Sequence, residues 1–318
     1  MPPFVINTAP LSSACAHWLE ERVEVHHCDY RDEATLRGLF GRADGLVIAT
    51  YLNVNDALLD CAPRLKVVGR AGVGLEHVDL EACRRHDVRV VYTPQANCQA
   101  VVEYVFALML DALRPRPLIE GPIDAERFFE WRRTEVGRQL DQLTLGVIGF
   151  GQIGRRVGAV ARAIGMRLIV NDLLPEDQLR GEVDFPFEVV DKATLYANSD
   201  VLSIHVDGRA ENRNLIGDVE LAQLRPDCLV INAARGMVLD AGALARWAAA
   251  TVETGGQAVL DVLEPEPPAA DCPLFGLPNV RLHPHLAART DTALEDMGWV
   301  VRDVWAVLQG EQPRFSAW

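Results

Sequence analysis

Polar side chains that could hold a carboxylate and move a proton follow three apolar runs in the second half of the chain. Arg235 comes shortly after the run Leu229–Ile231, and its planar guanidinium can bind a carboxylate through two hydrogen bonds. The acidic segment Asp261–Pro267 follows a second run, and His283 and His285 follow a third. A carboxylate beside an imidazole stabilises the protonated ring, so such a histidine can give or take a proton near neutral pH. This order of residues predicts an acid–base site for a small carboxylate.

The segment Gly149–Gly154 has the glycine spacing of a dinucleotide-binding turn. It follows the apolar run Leu145–Ile148 and precedes the helical stretch Arg155–Ile164, which is the context that such a turn needs. Its glycines permit a tight turn and close approach of the backbone to a pyrophosphate, and the helix supplies N–H groups. Asp172 directly follows the next predicted strand, where a carboxylate would accept the ribose hydroxyls and repel a 2′-phosphate. The pattern predicts NAD rather than NADP as the cofactor.

Short apolar strands alternate with helical patterns along the whole chain, which is typical of a doubly wound α/β architecture with buried parallel strands. A long helical pattern at about Gln99–Leu113 separates two series of strands. We predict a first domain of residues 1–95, completed by residues 286–318 with a helix at about Asp291–Leu308, and a second domain of residues 96–285. The predicted strands are Phe4–Asn7, Val23–His26, Leu46–Ala49, Val67–Gly69, Val88–Tyr92, Leu145–Phe150, Leu168–Asn171, Val201–Val206, Leu229–Ala233, Ala258–Val262 and Val280–His283.

The composition is that of a globular enzyme. Of 318 residues, 49% are hydrophobic and 24% are charged, which excludes a disordered tail, a collagen-like chain and a small disulfide scaffold. The net charge of −14 and the lack of a basic run argue against nucleic acid as a partner. No stretch is long and apolar enough to span a membrane, and the amino terminus lacks the pattern of a secretory signal.

Seven cysteines are spread singly along the chain without a Cys-x-x-Cys pair, which is typical of reduced thiols in a cytoplasmic protein. We therefore predict a cytoplasmic location, and a packing role for Cys98 beside Asn97. The histidines form neither a His-Glu-x-x-His motif nor a zinc-binding spacing, so the sequence predicts no metal site.

Further motifs occur on both sides of the dinucleotide-binding turn, and together they cover nearly the whole chain. They are Val68–Gly74, Val78–Asp79, Thr93–Pro94, Asn97, Glu103–Tyr104, Trp131, Gly137, Leu140, Asn232–Gly236 and the segment around His285. With that turn, they resemble the D-isomer-specific 2-hydroxyacid dehydrogenase family, notably its phosphoglycerate dehydrogenases in the first segment. The resemblance implies an α/β protein of two doubly wound parallel-sheet domains, in which a Rossmann NAD-binding domain is inserted in a flavodoxin-like substrate domain.

The resemblance also implies the reaction, a hydride transfer between NAD(H) and C2 of a small D-2-hydroxy acid or 2-oxo acid. Arg235 resembles the family's arginine that holds the substrate carboxylate and polarises the 2-oxo group. His285 resembles the general acid of reduction and general base of oxidation. The family's glutamate lies five residues after the aspartate of its Asp-Val-Phe segment, so counting from Asp261 gives Glu266 rather than Glu264 as the partner of the histidine.

The same resemblance assigns binding residues along the chain. The backbone of Gly72–Gly74 resembles the nest that receives the substrate carboxylate, and His205–Val206, Ala233 and Asp261 resemble positions that line the nicotinamide half of the cofactor. The candidate cofactor-binding residues are Gly149, Gly151, Gln152, Ile153, Gly154, Asp172, His205, Val206, Asp207, Asn212, Ala233, Arg235, Asp261 and His285. The candidate substrate-binding residues are Tyr51, Arg70, Gly72, Val73, Gly74, Arg235 and Arg289.

The chain departs from the family pattern at three loops. Relatives usually have Pro-Leu-Thr-Pro-Glu-Thr where this chain has Asp207–Asn212, a loop that passes the cofactor. Phosphoglycerate dehydrogenases often have Arg-Ser where this chain has Ala49–Tyr51, which removes one phosphate ligand and brings a tyrosine near the expected substrate site. Arg289 follows soon after His285, where it could reach a second anionic group of the substrate, a phosphate or phosphonate, or pair with Asp291.

The substrate is open among hydroxypyruvate, glyoxylate, a phosphorylated hydroxy acid and a phosphonate analogue. A phosphite-type dehydrogenase keeps the same arginine, glutamate and histidine, and some relatives are NAD-sensing corepressors without turnover, so both are alternatives. In the same resemblance, formate dehydrogenases have a glutamine at the position of Glu266. The glutamate of this chain therefore argues against formate dehydrogenase activity.

The resemblance further implies a homodimer formed through the NAD-binding domain. The segment Leu118–Leu140 carries more apolar surface than a monomer readily exposes, and we predict that it is a contact arm. The alternative is that this segment packs on its own domain. Because the chain ends at Trp318, we expect no carboxyl-terminal regulatory domain.

Overall fold

The computed structural model describes residues 2–318, which divide into two compact units. The first unit contains the chain up to Ala100 together with Ala288–Trp318, and the second unit contains Val101–Ala287. These boundaries lie a few residues after the predicted ones at residues 95 and 285. The first of them falls inside the helix Cys98–Leu113, because this helix begins in one unit and continues in the other.

The described residues form twelve strands and thirteen α-helices. The strands are β1 (Phe4–Asn7), β2 (Glu24–His27), β3 (Gly45–Ile48), β4 (Val67–Arg70), β5 (Arg89–Tyr92), β6 (Thr144–Ile148), β7 (Arg167–Asn171), β8 (Glu188–Val189), β9 (Val201–Ile204), β10 (Leu229–Asn232), β11 (Gln257–Leu260) and β12 (Val280–Leu282). The helices are α1 (Ser13–Glu20), α2 (Glu33–Phe40), α3 (Asp56–Asp60), α4 (Leu80–Arg85), α5 (Cys98–Leu113), α6 (Ala125–Thr134), α7 (Gln152–Ile164), α8 (Glu176–Gly181), α9 (Lys192–Asn198), α10 (Asp218–Leu221), α11 (Ala241–Thr251), α12 (Asp291–Gly298) and α13 (Val300–Leu308).

The first unit is built on a five-stranded parallel sheet in the order β2-β1-β3-β4-β5, which is the flavodoxin-like order. Valines of the returning helix α13, among them Val300 and Val304, pack with Val47 and Val67 of the sheet. The predicted helix at residues 291–308 is in fact two helices separated by Trp299. The last segment of the chain therefore completes the core of the unit in which the chain begins.

The second unit is built on a seven-stranded parallel sheet in the order β12-β11-β10-β9-β6-β7-β8. This is the doubly wound order of dinucleotide-binding domains, extended by one strand. Strand β8 was not among the predicted strands, because its two residues are too few to form a sequence pattern. The two parallel-sheet α/β units confirm the predicted fold class. Because all seven strands are parallel, the loops that follow them meet at the carboxyl edge of the sheet.

The helix α6 lies in the segment Leu118–Leu140 and has no buried residue. The large apolar side chains that this segment exposes are Leu118, Ile119, Phe128, Phe129 and Val136. Among the residues that the structure describes, no helix is both long and apolar enough to cross a membrane. Within the same residues, no three His, Cys, Asp or Glu side chains are grouped as metal ligands.

Candidate active site

The predicted dinucleotide-binding turn joins β6 to α7 at the carboxyl edge of the second sheet. Gly149 has a φ of +87°, and an added Cβ would lie 2.7 Å from the carbonyl of His205. A Cβ at Gly154 would collide with the carbonyl oxygen of Gly149. Both positions require glycine because the turn packs on itself and on the neighbouring strand end.

Gly151 differs from the other two glycines of the turn. Its φ of −76° is open to any residue, and apart from its chain neighbours no described residue has an atom within 4 Å of an added Cβ. The helix that begins at Gln152 has no side-chain N-cap, which leaves the N–H groups of its first turn available. Open space beside free N–H groups at a helix amino terminus fits the pyrophosphate of a dinucleotide.

The carboxylate of Asp172 is held at this turn by two backbone groups. One oxygen accepts a hydrogen bond from the N–H of Phe150 at 2.5 Å, and the other accepts from the N–H of Leu174 at 2.9 Å. The structure thus brings Asp172 together with Gly149–Gly154, as the fingerprint requires for a carboxylate that binds a ribose.

The loop after β9 carries the segment Asp207–Asn212. Asp207 forms a bidentate ion pair with Arg209, with oxygen–nitrogen distances of 2.7 and 2.5 Å, and Asn212 donates to the same carboxylate at 3.0 Å. Next to this loop, the ring of His205 bonds to Ser203 at 2.8 Å, and burial lowers its pKa to about 4. Val206 lies between these groups. His205 is therefore neutral at neutral pH. The polar side chains of the loop, Asp207, Arg209 and Asn212, are hydrogen-bonded to one another.

The centre of the acid–base site is a hydrogen bond of 2.8 Å between His285 Nδ1 and Glu266 Oε2. The hydrogen bond with Glu266 raises the pKa of His285 above its ordinary value, although burial acts in the opposite direction. Burial of Glu266 favours a higher pKa, but hydrogen bonds from His285 and the N–H of Leu263 hold its pKa below the ordinary value. Each partner therefore stabilises the charged form of the other.

Arg235 follows β10 and acts on the electrostatics of this pair, since its charge lowers the pKa of both Glu266 and His285. Its Nη1 donates to the carbonyl of Ala234 at 2.8 Å. The buried side chain of Asn232 closes the loop, because it accepts from the N–H of Ala234 and donates to the carbonyl of Arg235, each at 3.0 Å. The structure thus brings the arginine, the glutamate and the histidine together at the ends of successive strands.

Ala233 and Asp261 lie at the same strand ends and are buried. Asp261 has a bonding pattern that sequence reasoning missed, because both of its carboxylate oxygens accept backbone N–H groups, those of Leu286 and Ala287. Asn232 was also missed as a functional residue, although it is the first residue of the motif that contains Arg235. An amide as the last residue of a buried strand was the signal that could have identified it.

The remaining candidates lie in the first unit. Arg70 donates to the carbonyls of Ala71 and Gly74 and to the hydroxyl of Thr50. Gly72 has a φ of +144°, and a Cβ added at Gly72 would collide with the guanidinium of Arg70. The arginine therefore braces the loop that contains Gly72, Val73 and Gly74.

Two exposed side chains of the first unit complete the predicted set. Tyr51 is stacked on Tyr30, with ring centroids 4.8 Å apart. Arg289 is exposed, and within residues 2–318 it forms no ion pair with Asp291. Cys98 is buried, and its thiol faces the carbonyl of Pro94 at 3.9 Å.

Comparison with known proteins places this arrangement in a family. Residues 106–287 match the model of "D-isomer specific 2-hydroxyacid dehydrogenase, NAD binding domain". The D-3-phosphoglycerate dehydrogenase of Mycobacterium tuberculosis is 33% identical over 314 residues, which cover 97% of this chain and 57% of that protein. This chain therefore spans little more than half the length of that relative.

A glyoxylate reductase from Aeropyrum pernix is 32% identical over 296 residues, which cover 88% of this chain and 84% of the relative. The D-lactate dehydrogenase of Aquifex aeolicus, solved with NAD and lactic acid, superimposes with a TM-score of 0.80 at 25% identity and covers 97% of this chain and 96% of that one. On the glycine turn, the strand-end residues and these matches, the chain belongs to the D-isomer specific 2-hydroxyacid dehydrogenase family.

Proposed function

We propose that this protein is an NAD-dependent dehydrogenase that transfers a hydride between NAD(H) and C2 of a small D-2-hydroxy acid or 2-oxo acid. The observation that carries the proposal is the 2.8 Å hydrogen bond between His285 and Glu266, with the charge of Arg235 acting on both. This group lies at the same carboxyl edge as the dinucleotide-binding turn, and dehydrogenation needs both parts together.

His285 is the acid–base residue in this proposal. Its Nδ1 donates to Glu266, which leaves Nε2 to give a proton to the carbonyl oxygen in reduction and to accept one from the hydroxyl in oxidation. The raised pKa keeps the ring protonated at higher pH than a free histidine. Arg235 binds the substrate carboxylate and stabilises the negative charge that develops on the carbonyl oxygen.

The cofactor supplies the hydride when it is bound. The backbone of Gly149–Gly154 and the first turn of α7 hold its pyrophosphate. Asp172, fixed by two backbone N–H groups, accepts the ribose hydroxyls and disfavours a 2′-phosphate. The loop of Asp207 and Asn212 contributes further contacts to the same cofactor.

In the first unit we assign substrate binding to the backbone N–H groups of Gly72, Val73 and Gly74, with Arg70 fixing their loop. Arg289 is assigned to a second anionic group of the substrate, since its guanidinium is exposed and forms no ion pair in the described chain. The relatives named for phosphoglycerate and glyoxylate differ in whether their substrate has such a group. The substrate class therefore depends on Arg289 and Tyr51.

The test is oxidation of NADH, with NADPH in parallel, against glyoxylate, pyruvate, hydroxypyruvate, phenylpyruvate, phosphohydroxypyruvate and phosphonopyruvate. We expect turnover of at least one of these acids with a preference for NADH. Arg289→Met should lower kcat/KM for the phosphorylated or phosphonate acid and leave that for hydroxypyruvate unchanged. Failure to oxidise NADH with every acid, while NADH still binds, would overturn the proposed reaction.

We also propose that the exposed apolar segment Leu118–Leu140 is the contact arm of a homodimer. Phe129 is 61% exposed and lies edge-to-face on the exposed ring of Phe128, and apolar side chains grouped in this way mark protein contacts. Sedimentation at micromolar concentration should give a species of twice the 35.1 kDa chain mass. Phe129→Asp should release the monomer, whereas Val219→Asp, at a side chain that is 70% exposed outside this segment, should not. A 35.1 kDa species for the unaltered chain would remove the dimer proposal.

A further inference from the structure

The backbone at and directly after His285 is hydrogen-bonded to one buried residue, Asp261. Asp261 has no exposed surface. Its Oδ1 accepts from the N–H of Leu286 at 2.8 Å, and its Oδ2 accepts from the N–H of Ala287 at 2.9 Å. Its backbone carbonyl accepts from the N–H of His285, also at 2.8 Å. Three consecutive N–H groups therefore end on this one residue.

His285 itself has a left-handed backbone, with a φ of +54°. Residues other than glycine adopt this conformation rarely, and they keep it only where surrounding contacts fix it. The bonds to Asp261 lie at His285 and at the two residues directly after it. The direction in which the imidazole points therefore depends on where the Asp261 carboxylate is held.

A phenol from a different element reaches the same carboxylate. Tyr104 lies on α5 and packs against the apolar core of the second unit, and its hydroxyl lies near enough to Asp261 to interact with that carboxylate. Its ring lies edge-on to His283, with centroids 6.1 Å apart. Burial, together with the charge of Asp261, raises the pKa of Tyr104 to about 12. The hydroxyl therefore keeps its proton at neutral pH and can donate a hydrogen bond to the carboxylate.

We infer that Tyr104 is a positioning residue for the reaction, whose hydroxyl holds the Asp261 carboxylate and, through it, the turn that carries His285. A buried carboxylate is stable only when its oxygens are hydrogen-bonded. Leu286 and Ala287 supply donors from the turn itself, and in this inference Tyr104 supplies a donor from outside the turn. It ties that turn to a long helix of the core. The inference rests on the proposed function, because it assigns His285 the acid–base role.

The first experiment compares Tyr104→Phe with a matched control, Tyr196→Phe. Both substitutions remove one phenol hydroxyl, but the buried hydroxyl of Tyr196 has no hydrogen-bond partner among residues 2–318. We expect Tyr104→Phe to lower kcat about tenfold, which is a fraction of the effect of a general acid, with the KM for NADH unchanged. Tyr196→Phe should leave both parameters as they are.

The pH dependence tests positioning directly. The charged groups that act on His285 are Glu266, Asp261 and Arg235. If the turn loosens, the bond between His285 and Glu266 weakens, and the pKa of His285 falls toward its ordinary value. The basic limb of kcat/KM for reduction should then shift to lower pH in Tyr104→Phe and stay in place in Tyr196→Phe. Unchanged kcat and an unchanged limb would overturn the inference.

A readout without turnover separates this inference from the proposed function. The pKa of His285 is measured by NMR titration of its ring proton, assigned by its loss in His285→Gln. It should fall in Tyr104→Phe and in Asp261→Asn, and Tyr104→Phe should add nothing in the Asp261→Asn background. Additive effects would show that Tyr104 does not act through Asp261. A chain that turns over no 2-oxo acid, yet shows these shifts, would refute the proposed reaction and leave the positioning role intact.

Discussion

Two halves of the carboxyl edge of the second sheet are built from different materials. The cofactor half, Gly149–Gly154 with Asp172, consists mostly of backbone groups. Its glycines are explained by the absence of a side chain, which lets the turn pack closely and leaves open space at Gly151. The acid–base half consists of the charged side chains Arg235, Glu266 and His285. Glu266 and His285 shift each other's pKa values, and the charge of Arg235 acts on both. The first half should therefore respond to added atoms and be insensitive to pH. The second should respond to the loss of charge and depend on pH.

The largest effect should come from His285→Ala in the acid–base half. Removing a general acid costs about 10²–10⁴ in rate, so we expect kcat to fall by about a thousandfold. The Kd for NADH, measured by fluorescence titration, should stay near that of the unaltered chain, because the cofactor half is intact. Turnover near the original rate in this variant would show that the acid–base half does not carry the proton transfer.

Glu266→Gln should have the next largest effect. The amide keeps the size of the side chain but removes the charge that raises the pKa of His285, so the ring loses its proton at lower pH. We expect kcat/KM for reduction to fall about 10- to 100-fold at neutral pH, with the basic limb of its profile moved down. Glu264→Gln is the control, because Glu264 is instead paired with the exposed Arg213 at 3.4 Å. Equal losses in the two variants would contradict the assignment of Glu266.

Gly151→Ala tests the cofactor half. The added methyl group points into space that the protein leaves open, so the melting temperature should not change. If that space receives the pyrophosphate, the Kd for NADH should rise at least about tenfold, because the backbone can no longer approach it.

Gly154→Ala is the matched substitution in the same turn. Its methyl group would collide with the carbonyl of Gly149, so this variant should lose stability as well as affinity, by about 1–3 kcal/mol for an overpacked site. Thermal unfolding beside NADH titration separates the two outcomes. Tight NADH binding by Gly151→Ala would mean that the cofactor half does not work through its shape.

The cofactor half could be predicted from sequence because its residues are contiguous. Six consecutive residues, which follow an apolar run and include the start of a helix, define the turn, and the geometry of each glycine follows from local sterics. The residues of the acid–base half are instead spread from Arg235 to His285. Without the family spacing, the sequence does not distinguish Glu264 from Glu266 as the partner of the histidine. Only the family spacing favoured Glu266, the residue that the structure brings to His285.

Other features could not be predicted because they depend on contacts between distant segments. The left-handed backbone of His285 is fixed by Asp261, and the hydroxyl of Tyr104 reaches that carboxylate from an apolar helix whose pattern shows only packing. Strand β8 has two residues, and the break at Trp299 interrupts a helical pattern that continues on both sides. Local propensity determines elements, whereas these features arise from tertiary structure.

The smallest effect should be on stability, and it distinguishes charge from packing in the acid–base half. The pKa of His285 is raised above 6.5 in the folded state, so its contribution is full below that pH and is lost as pH rises through the folded value. The pKa of Glu266 is lowered below 4.5, so its contribution is present above that pH and is lost as pH falls through the folded value. The pair therefore stabilises the fold most between about pH 4.5 and 6.5.

The two side chains are 43% and 38% exposed, so the gain should be that of a solvated ion pair, about 0.5 kcal/mol, or about 1–2 °C in melting temperature. Melting of the unaltered chain and of a variant carrying both Glu266→Gln and His285→Gln should differ by this amount at pH 5.5 and converge at pH 9. The amides keep the volume of one side chain and approximate the other, so a charge effect disappears with pH whereas a packing effect does not. A difference of equal size at both pH values would assign the stability of this half to shape, as in the cofactor half.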